Sequence, residues 1–415
     1  MGRAFIKRTI IGLIILLLPL SVIFAQSISF NGYVRNYTGF LLTGDNDYSI
    51  VQNTFNLNIE KSSNKVAFKV SPYINHYQNR DLEIGLRQAY LDVFFSSMDI
   101  RVGKQQIIWG KADGVFITDV ISPKNLKEFL LPDFAEIRMG VTAVKVDYYM
   151  GNNTLEFVLV PLFTPTELPD RNSIWSPKMD FPVSPVFDCS KEEVPQSLKN
   201  SEVFLKFSVL SSALDFELMG GYMWDDDPTL HSTKTIDMST MQITSLNIIP
   251  QHHRLGLLGG SFSTTLGGFV LRGEGAYYFD KYFRSTERTL SEGVIPKDYI
   301  HYLIGLDFSI IDIKMSVQFI QQVVLGYNDF IYNNQFDNTM TVLARKDFLR
   351  ETLALELFAY IGLNDGDSLV RLKATYKVSD GFDVLLGANI FSGISGKFGQ
   401  HRDNDMLYVK LKYSF

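Results

Sequence analysis

The sequence predicts an all-β fold: a closed antiparallel transmembrane β-barrel of about 18 strands, with 16 as the alternative, joined by short periplasmic turns and long extracellular loops. Three observations predict it. Segments of about ten residues alternate apolar and polar side chains, the period of a strand that is greasy on one face and wet on the other. Short and long connections alternate along the chain, as they do in outer-membrane barrels. The chain also ends on such a strand, where Leu407, Val409, Leu411, Tyr413 and Phe415 alternate with Tyr408, Lys410, Lys412 and Ser414. The terminal Phe415, with Tyr413 two positions earlier, looks like the insertion signal read by the outer-membrane barrel-insertion machinery.

At the amino terminus, Arg3, Lys7 and Arg8 precede an apolar run from Ile10 to Phe24 that closes on Ala25-Gln26. Residues 1-25 therefore read as a secretory signal peptide. The run, about fifteen residues, is short of the roughly twenty that a spanning helix needs. With no cysteine near the cleavage point, a lipid anchor is not expected. Residues 26-415 then form a single barrel without a linker.

Composition alone does not separate a barrel from a large soluble β-protein, since 46% hydrophobic and 13% aromatic residues suit either. The period separates them. Cys189 is the one cysteine, so no intramolecular disulfide can form. A net charge of -6 argues against a generally basic nucleic-acid binder.

The clearest hairpin sets Phe55, Leu57 and Ile59 against Thr54, Asn56, Asn58 and Glu60, turns at Ser62-Ser63-Asn64, and continues with Val66, Phe68 and Val70. Further short turns are expected at Ser96-Ser97, Gly151-Asn152-Asn153, Ser211-Ser212, Leu266-Gly267-Gly268, Ile311-Asp312, Lys346-Asp347 and Ser379-Asp380-Gly381. Longer connections fall at 43-49, 78-85, 110-139, 164-200, 225-250, 281-298, 326-338, 363-367 and 392-403. An even strand count returns both termini to the periplasmic side. Closure is expected because in lipid every backbone polar group must be satisfied internally.

Two loops break the pattern. Residues 164-200 carry Pro165, Pro169, Pro177, Pro182, Pro185 and Pro195 with Trp175 and Phe181, a stiff segment suited to capping the mouth. In 110-139, Ser122-Pro123 reads as an N-cap and first helical position, and Leu126, Phe129, Leu130, Phe134 and Ile137 recur at helical spacing. A short helix interrupted by Pro132 is expected, in a structured loop that constricts the pore or lies over the rim.

The stretch Leu86-Arg87-Gln88-Ala89-Tyr90-Leu91-Asp92, with Asp99-Ile100-Arg101-Val102-Gly103-Lys104-Gln105, Trp109-Gly110 and Asp119-Val120-Ile121-Ser122-Pro123, resembles the hallmark block of an uncharacterised family of outer-membrane barrels. That family is similar in layout to porins and the alginate export channel. Its members are often found beside exporters of the resistance-nodulation-division type, which implies an inner-membrane exporter system as a partner. The resemblance implies a porin-like barrel with a structured loop after the strand ending near Trp109; it implies no substrate. Here Ser122-Pro123 stands where the family usually has Asn-Pro.

By alternation, Tyr90, Asp92, Arg101, Gly103 and Gln105 face the lumen, and Arg101 and Asp92 are placed to pair across two strands. Gly103 leaves room for another group to approach the wall. With Trp109 and Asp119 these residues form a contact block, read either as packing the loop against the wall or as touching a ligand. Arg371, Lys373, Lys410 and Lys412 lie on nearby strands, and closure brings Arg35 beside them. They make a basic sector that favours anions. Apolar lumen positions, among them Phe204, Leu258, Tyr278, Leu303, Phe358 and Tyr360, suggest either a plugged lumen or a path for amphiphilic solutes. Arg254 is also placed in the lumen.

Catalysis is not expected, because His76, His231, His252, His253, His301 and His401 show no nucleophile–base motif. No cofactor motif is present. His252-His253 as a metal site and Asp225-Asp226-Asp227 as a calcium loop are the weak metal candidates. The expected function is an outer-membrane channel for passive passage of small or amphiphilic solutes, mildly anion-selective. The alternatives are a plugged barrel for a hydrophobic substrate and a non-transporting surface or adhesion barrel. Outer-membrane lipid is the one partner every reading shares, and the sequence leaves oligomeric state open.

Overall fold

The computed structural model describes residues 28–415 apart from 45, 46, 79, 180, 241 and 288. The expected signal peptide at 1-25 lies outside the described residues. Eighteen strands form one closed sheet. The first seven are β1 (Ser29–Leu41), β2 (Tyr48–Ser62), β3 (Val66–Tyr77), β4 (Glu83–Phe94), β5 (Met98–Gln105), β6 (Val141–Met150) and β7 (Asn153–Val160). After a two-residue strand outside the barrel, β8 (Val186–Phe187), come β9 (Glu202–Val209) and β10 (Asp215–Trp224). A hairpin outside the barrel follows, β11 (Thr229–Ile236) and β12 (Ile243–Gln251). The wall is completed by β13 (Arg254–Leu266), β14 (Phe269–Arg284), β15 (Val294–Ile310), β16 (Ile313–Val324), β17 (Phe336–Phe348), β18 (Leu353–Gly362), β19 (Asp367–Ser379), β20 (Phe382–Ser392) and β21 (Met406–Ser414).

Neighbouring wall strands run antiparallel, and β21 pairs back on β1 from Tyr33↔Ser414 to Leu41↔Met406. Gly32 and Phe415 exchange two backbone hydrogen bonds of 3.0 Å at the seam. Closure leaves no unpaired sheet edge for lipid to meet. The outer face is apolar, with Val34, Phe55, Val102, Phe157, Leu218, Ile304, Leu372 and Leu386 all exposed. Tyr413 and Phe415 also point outward, Phe415 stacking on Phe55 at 6.3 Å.

The short turns fall where alternation and turn residues place them, with one exception. At Ile311-Asp312 both turn residues have positive φ (49° and 64°), which matches the twist of a two-residue hairpin. Lys346-Asp347 is not a turn: β17 runs through it to Phe348, and the chain reverses at Leu349, Arg350 and Glu351, all with positive φ. None of those three is a glycine or asparagine, so the turn carries no sequence signal. Connection 225-250 is not simply a loop, because β11 and β12 pair antiparallel across it and β8 of the Pro-rich loop joins β12 in parallel.

Face assignment slips by one residue on β13. Leu255 and Leu257 are buried inward, whereas Leu258 is 58% exposed on the outer face and Arg254 lies over the rings of Tyr222 and Trp224. Gly256, Gly259 and Gly260 interrupt the alternation there, so the strand has few side chains to fix its phase.

Candidate functional site

The loop after β5 enters the lumen and crosses it. On one side Ile107, Trp109, Ile117 and Ile121 pack on Val158, Phe204, Met219, Leu257 and Leu303 of the wall. On the other, Leu130 and Leu131 pack with Tyr37, Phe358, Tyr360, Leu369 and Tyr408. The apolar lumen positions that would be costly around a wide water column are thereby covered. The expected helix shrinks to α1 (Phe134–Ile137). Ser122 caps nothing: its hydroxyl donates to Ile107 O and accepts from Ile107 N, clasping the two ends of the entering segment. Leu126, Phe129 and Leu130 all pack in the second of these clusters, brought there by two successive turns (Phe129 N to Leu126 O, 2.8 Å; Leu131 N to Glu128 O, 3.2 Å) that give helical spacing without a continuous helix.

The two edges of this loop are held differently. Toward β14–β18, wall side chains bond loop backbone. Glu274 accepts from Lys111 N (2.6 Å), Ala112 N (3.0 Å) and Thr118 N (3.2 Å), with its carboxylate buried. Gln318 accepts from Asp113 N (3.1 Å) and donates to Asp113 O (2.8 Å). Arg272 donates to Lys111 O and to the Asp113 carboxylate, Tyr278 to Ile117 O, and Tyr360 to Gly114 O. At Gly114 (φ +80°) a Cβ would strike the Phe358 ring, so the loop lies flat on the wall.

Toward β1–β4 the contacts are between side chains. Glu136 of α1 pairs with Arg35 at 2.9 Å and Arg87 at 3.4 Å, and accepts from the Tyr33 hydroxyl at 3.0 Å. Cavities of about 170 and 450 Å3 lie on the two sides of this group, and Arg87 and Glu136 line both. Burial acts to raise the Glu136 carboxyl, but Arg35 and Arg87 outweigh it and hold it below the usual range. Asp133 is likewise depressed, with Lys410 and Lys373 overcoming its crowded setting.

Arg87 reaches the lumen because of a bulge. Ser71 pairs with Gln88 but Pro72 with Leu86, which leaves Arg87 as the extra residue of β4. Pro72 lacks an N–H, and between Asn56↔Tyr73 and Ile59↔Val70 the β2–β3 ladder is interrupted. Gln88 and Arg87, adjacent in sequence, therefore both face the cavity.

The structure places the residues of the basic sector as follows. Arg35, Lys410 and Lys412 line the larger cavity, Lys373 sits 3.9 Å from Asp133 and 3.1 Å from Glu356, and Lys410 is 3.9 Å from Asp133. Arg371 differs: its guanidinium donates to Leu130 O (2.8 Å) and Leu131 O (2.6 Å), holding the loop. The contact block separates into two groups. Arg101 makes a two-pronged pair with Asp92 (2.6 and 3.1 Å) and lies over Tyr90, all on the wall near the short-turn end. Gln105 bonds Ala143 O, Trp109 bonds Glu156, and Asp119 pairs with Arg138 inside the loop. At Gly103 (φ +129°) a Cβ would meet Ala89 O and the Tyr90 Cα, so the close approach is by the neighbouring strand and not by the loop.

The Pro-rich loop sends Trp175 into the mouth. The ring is buried, stacks on Phe129 and donates to Glu128 at 3.0 Å. Nearby, His231 meets His253 at 2.8 Å and Glu292 at 2.7 Å, while His252 meets Asp225 O. Asp225 pairs with Lys281 and Asp227 with Lys124. Among the described residues no three His, Cys, Asp or Glu side chains gather to hold a metal. Glu136, Arg87, Asp133 and Glu274 are the residues that sequence reasoning did not single out as a site. The proline in β3 was the one local sign of the bulge.

Residues 33–415 match the model of a family described as "Protein of unknown function (DUF1302)". No curated protein matches the sequence. Among solved structures, the chain is similar to OccK8 (OprE) of Pseudomonas aeruginosa (TM-score 0.55, 10% identity, 94% of this chain and 98% of that one). It is similar to OccAB4 of Acinetobacter baumannii (0.56, 9%, 94% and 98%). It is also similar to Pseudomonas aeruginosa OccK2 (OpdF), solved in complex with glucuronate (0.55, 10%, 94% and 97%). The shared feature is the fold, a closed outer-membrane porin barrel.

Proposed function

The chain belongs to that family of unknown function, and we propose that it is an outer-membrane channel whose water route follows the β1–β4 wall and favours small anions. The observation that carries this reading is the pair of cavities on either side of Arg35, Glu136 and Arg87, on an edge of the loop where, among the described residues, no wall side chain bonds loop backbone. The larger cavity is lined by Arg35, Lys69, Arg87, Lys410 and Lys412 against Asp133, Glu136 and Asp383. Two of those acids belong to the loop, so the wall itself is strongly basic. Lysine and arginine lining a narrow passage lowers the barrier for anions. The structural neighbour OccK2 was solved with glucuronate, a carboxylate, which supports carboxylates as the solute class.

A second reading is a barrel closed at rest that opens for a hydrophobic substrate. The apolar packing of Ile117, Ile121, Leu130 and Leu131 on both walls favours it. Planar-bilayer recordings of the refolded barrel in a salt gradient separate the two. The channel reading expects stable conductance with an anion-shifted reversal potential, and Arg35→Gln with Arg87→Gln should lower the anion-to-cation permeability ratio about two- to threefold. Silence in the bilayer would contradict it and leave the closed barrel or a surface role.

A further inference from the structure

On the long-loop side of the sealed edge lies a cavity of about 440 Å3 that the proposed route does not use. Its floor is the loop stretch from Gly114 to Val120, which Glu274, Tyr278 and Tyr360 tie to the wall, so it is a pocket and not a passage.

Most of its charges cancel. Lys281 pairs with Asp225 at 2.5 Å and Lys124 with Asp227 at 3.8 Å. Three groups remain over: the Asp226 carboxyl, which burial raises well above the usual range and so toward its neutral form, and two basic groups. Lys397, on α2 (Gly396–Gly399), lines the pocket, and its ammonium lies over the Phe398 ring at 5.7 Å with no carboxylate pair among the described residues. His301, on β15, lines the same pocket and is 7% exposed, and its Nε2 has no hydrogen-bond partner among the described residues. The charged groups acting on His301 are Lys397, Lys124 and Lys281, all cations. A buried imidazole nitrogen left unpaired costs free energy that a ligand can recover.

The rest of the lining is aromatic. Phe116, Tyr278, Tyr299, Tyr360 and Phe398 face the space, and the hydroxyls of Tyr278 and Tyr360 are already spent on loop carbonyls. These rings offer flat apolar surface, and the Tyr299 hydroxyl, which makes no hydrogen bond among the described residues, is the one donor left on them.

We propose that this pocket binds an aromatic carboxylate, its ring among the tyrosines and phenylalanines and its carboxylate at Lys397, with His301 Nε2 closing the hydrogen-bonding set. A cavity of this size holds a ligand of one or two rings. The site rests on the sealed edge of the loop and not on the route along β1–β4, and binding can be read without any current.

The test is isothermal titration calorimetry of the full refolded barrel in detergent with 2-naphthoate, with naphthalene-2-carboxamide as the neutral control. Saturable binding of the acid at one site per chain is expected, with the amide at least about tenfold weaker. Lys397→Met should weaken the acid about tenfold, Lys397→Arg should retain most of the affinity, and His301→Phe should weaken it about threefold. The heat-dependent gel shift of folded barrels confirms that each variant is closed. Equal affinity for acid and amide, or an affinity unmoved by both Lys397→Met and His301→Phe in folded barrels, would overturn the assignment.

Discussion

The two edges of the luminal loop are built from different bonds. Along β14–β18, Glu274, Gln318, Arg272, Tyr278 and Tyr360 satisfy loop backbone groups, which cannot be left bare in a buried seam without penalty. Along β1–β4, one carboxylate, Glu136, shares two guanidiniums, and solvent-sized space continues to both sides of it. Backbone bonding fixes a loop as part of the wall. Side-chain pairing places charges in a gap without filling it. The difference locates the route on one edge, and it can be broken from either edge.

The largest effect is expected from removing the loop. Replacing residues 110-139 by a short Gly/Ser linker, in a barrel that still shows the folded gel shift, should raise single-channel conductance several-fold, because the apolar lumen would be open to water across its width. Glu274→Ala comes next. It strips the acceptor from the buried Thr118 N–H and from the part-buried N–H groups of Lys111 and Ala112, a loss of about 1–3 kcal/mol for the buried one, and is expected to add a second, noisy conductance on the sealed edge while lowering the unfolding temperature. Current traces and thermal gel-shift curves read both. Unchanged traces would mean that apolar packing alone seals that edge.

A smaller effect separates the members of the basic sector. Lys410→Gln with Lys412→Gln should lower the anion-to-cation permeability ratio about twofold with conductance nearly kept. Arg371→Gln, which releases Leu130 O and Leu131 O, should instead raise current noise with little change in selectivity. The smallest expected effect is of pH. Because cations depress both Glu136 and Asp133, their charges, and the stability those charges contribute, are present above the unfolded carboxyl pKa and are lost only as pH falls through the depressed folded values. The reversal potential should therefore stay flat from about pH 7 to about pH 5.

The sequence carried the wall well and the luminal loop poorly, for a physical reason in each case. Alternation and turn residues are local, so the barrel, its strand count and the inward Arg35, Lys410 and Lys412 could be read from neighbours in the chain. Arg35 and Glu136 are 101 residues apart and meet only because the loop folds back across the lumen. Arg87 faces inward through a one-residue bulge, and a shift of one residue exchanges the faces of a strand. The same sensitivity put Arg254 and Leu258 on the wrong face of the glycine-rich β13. The 122-137 stretch misled differently, since successive turns that present Leu126, Phe129 and Leu130 to one cluster imitate the spacing of a helix.

The most direct test of the account is to ask which edge a solute touches. In a Cys189→Ser background, which removes the exposed native thiol, single cysteines are placed at Asn58, lining the larger cavity, and at Ser316, buried beside Arg272 on the sealed edge. Single-channel current is then recorded while a negatively charged methanethiosulfonate is added. The account expects stepwise block at Asn58→Cys and none at Ser316→Cys. Block at Ser316→Cys with Asn58→Cys unaffected would place the route on the other edge and contradict it.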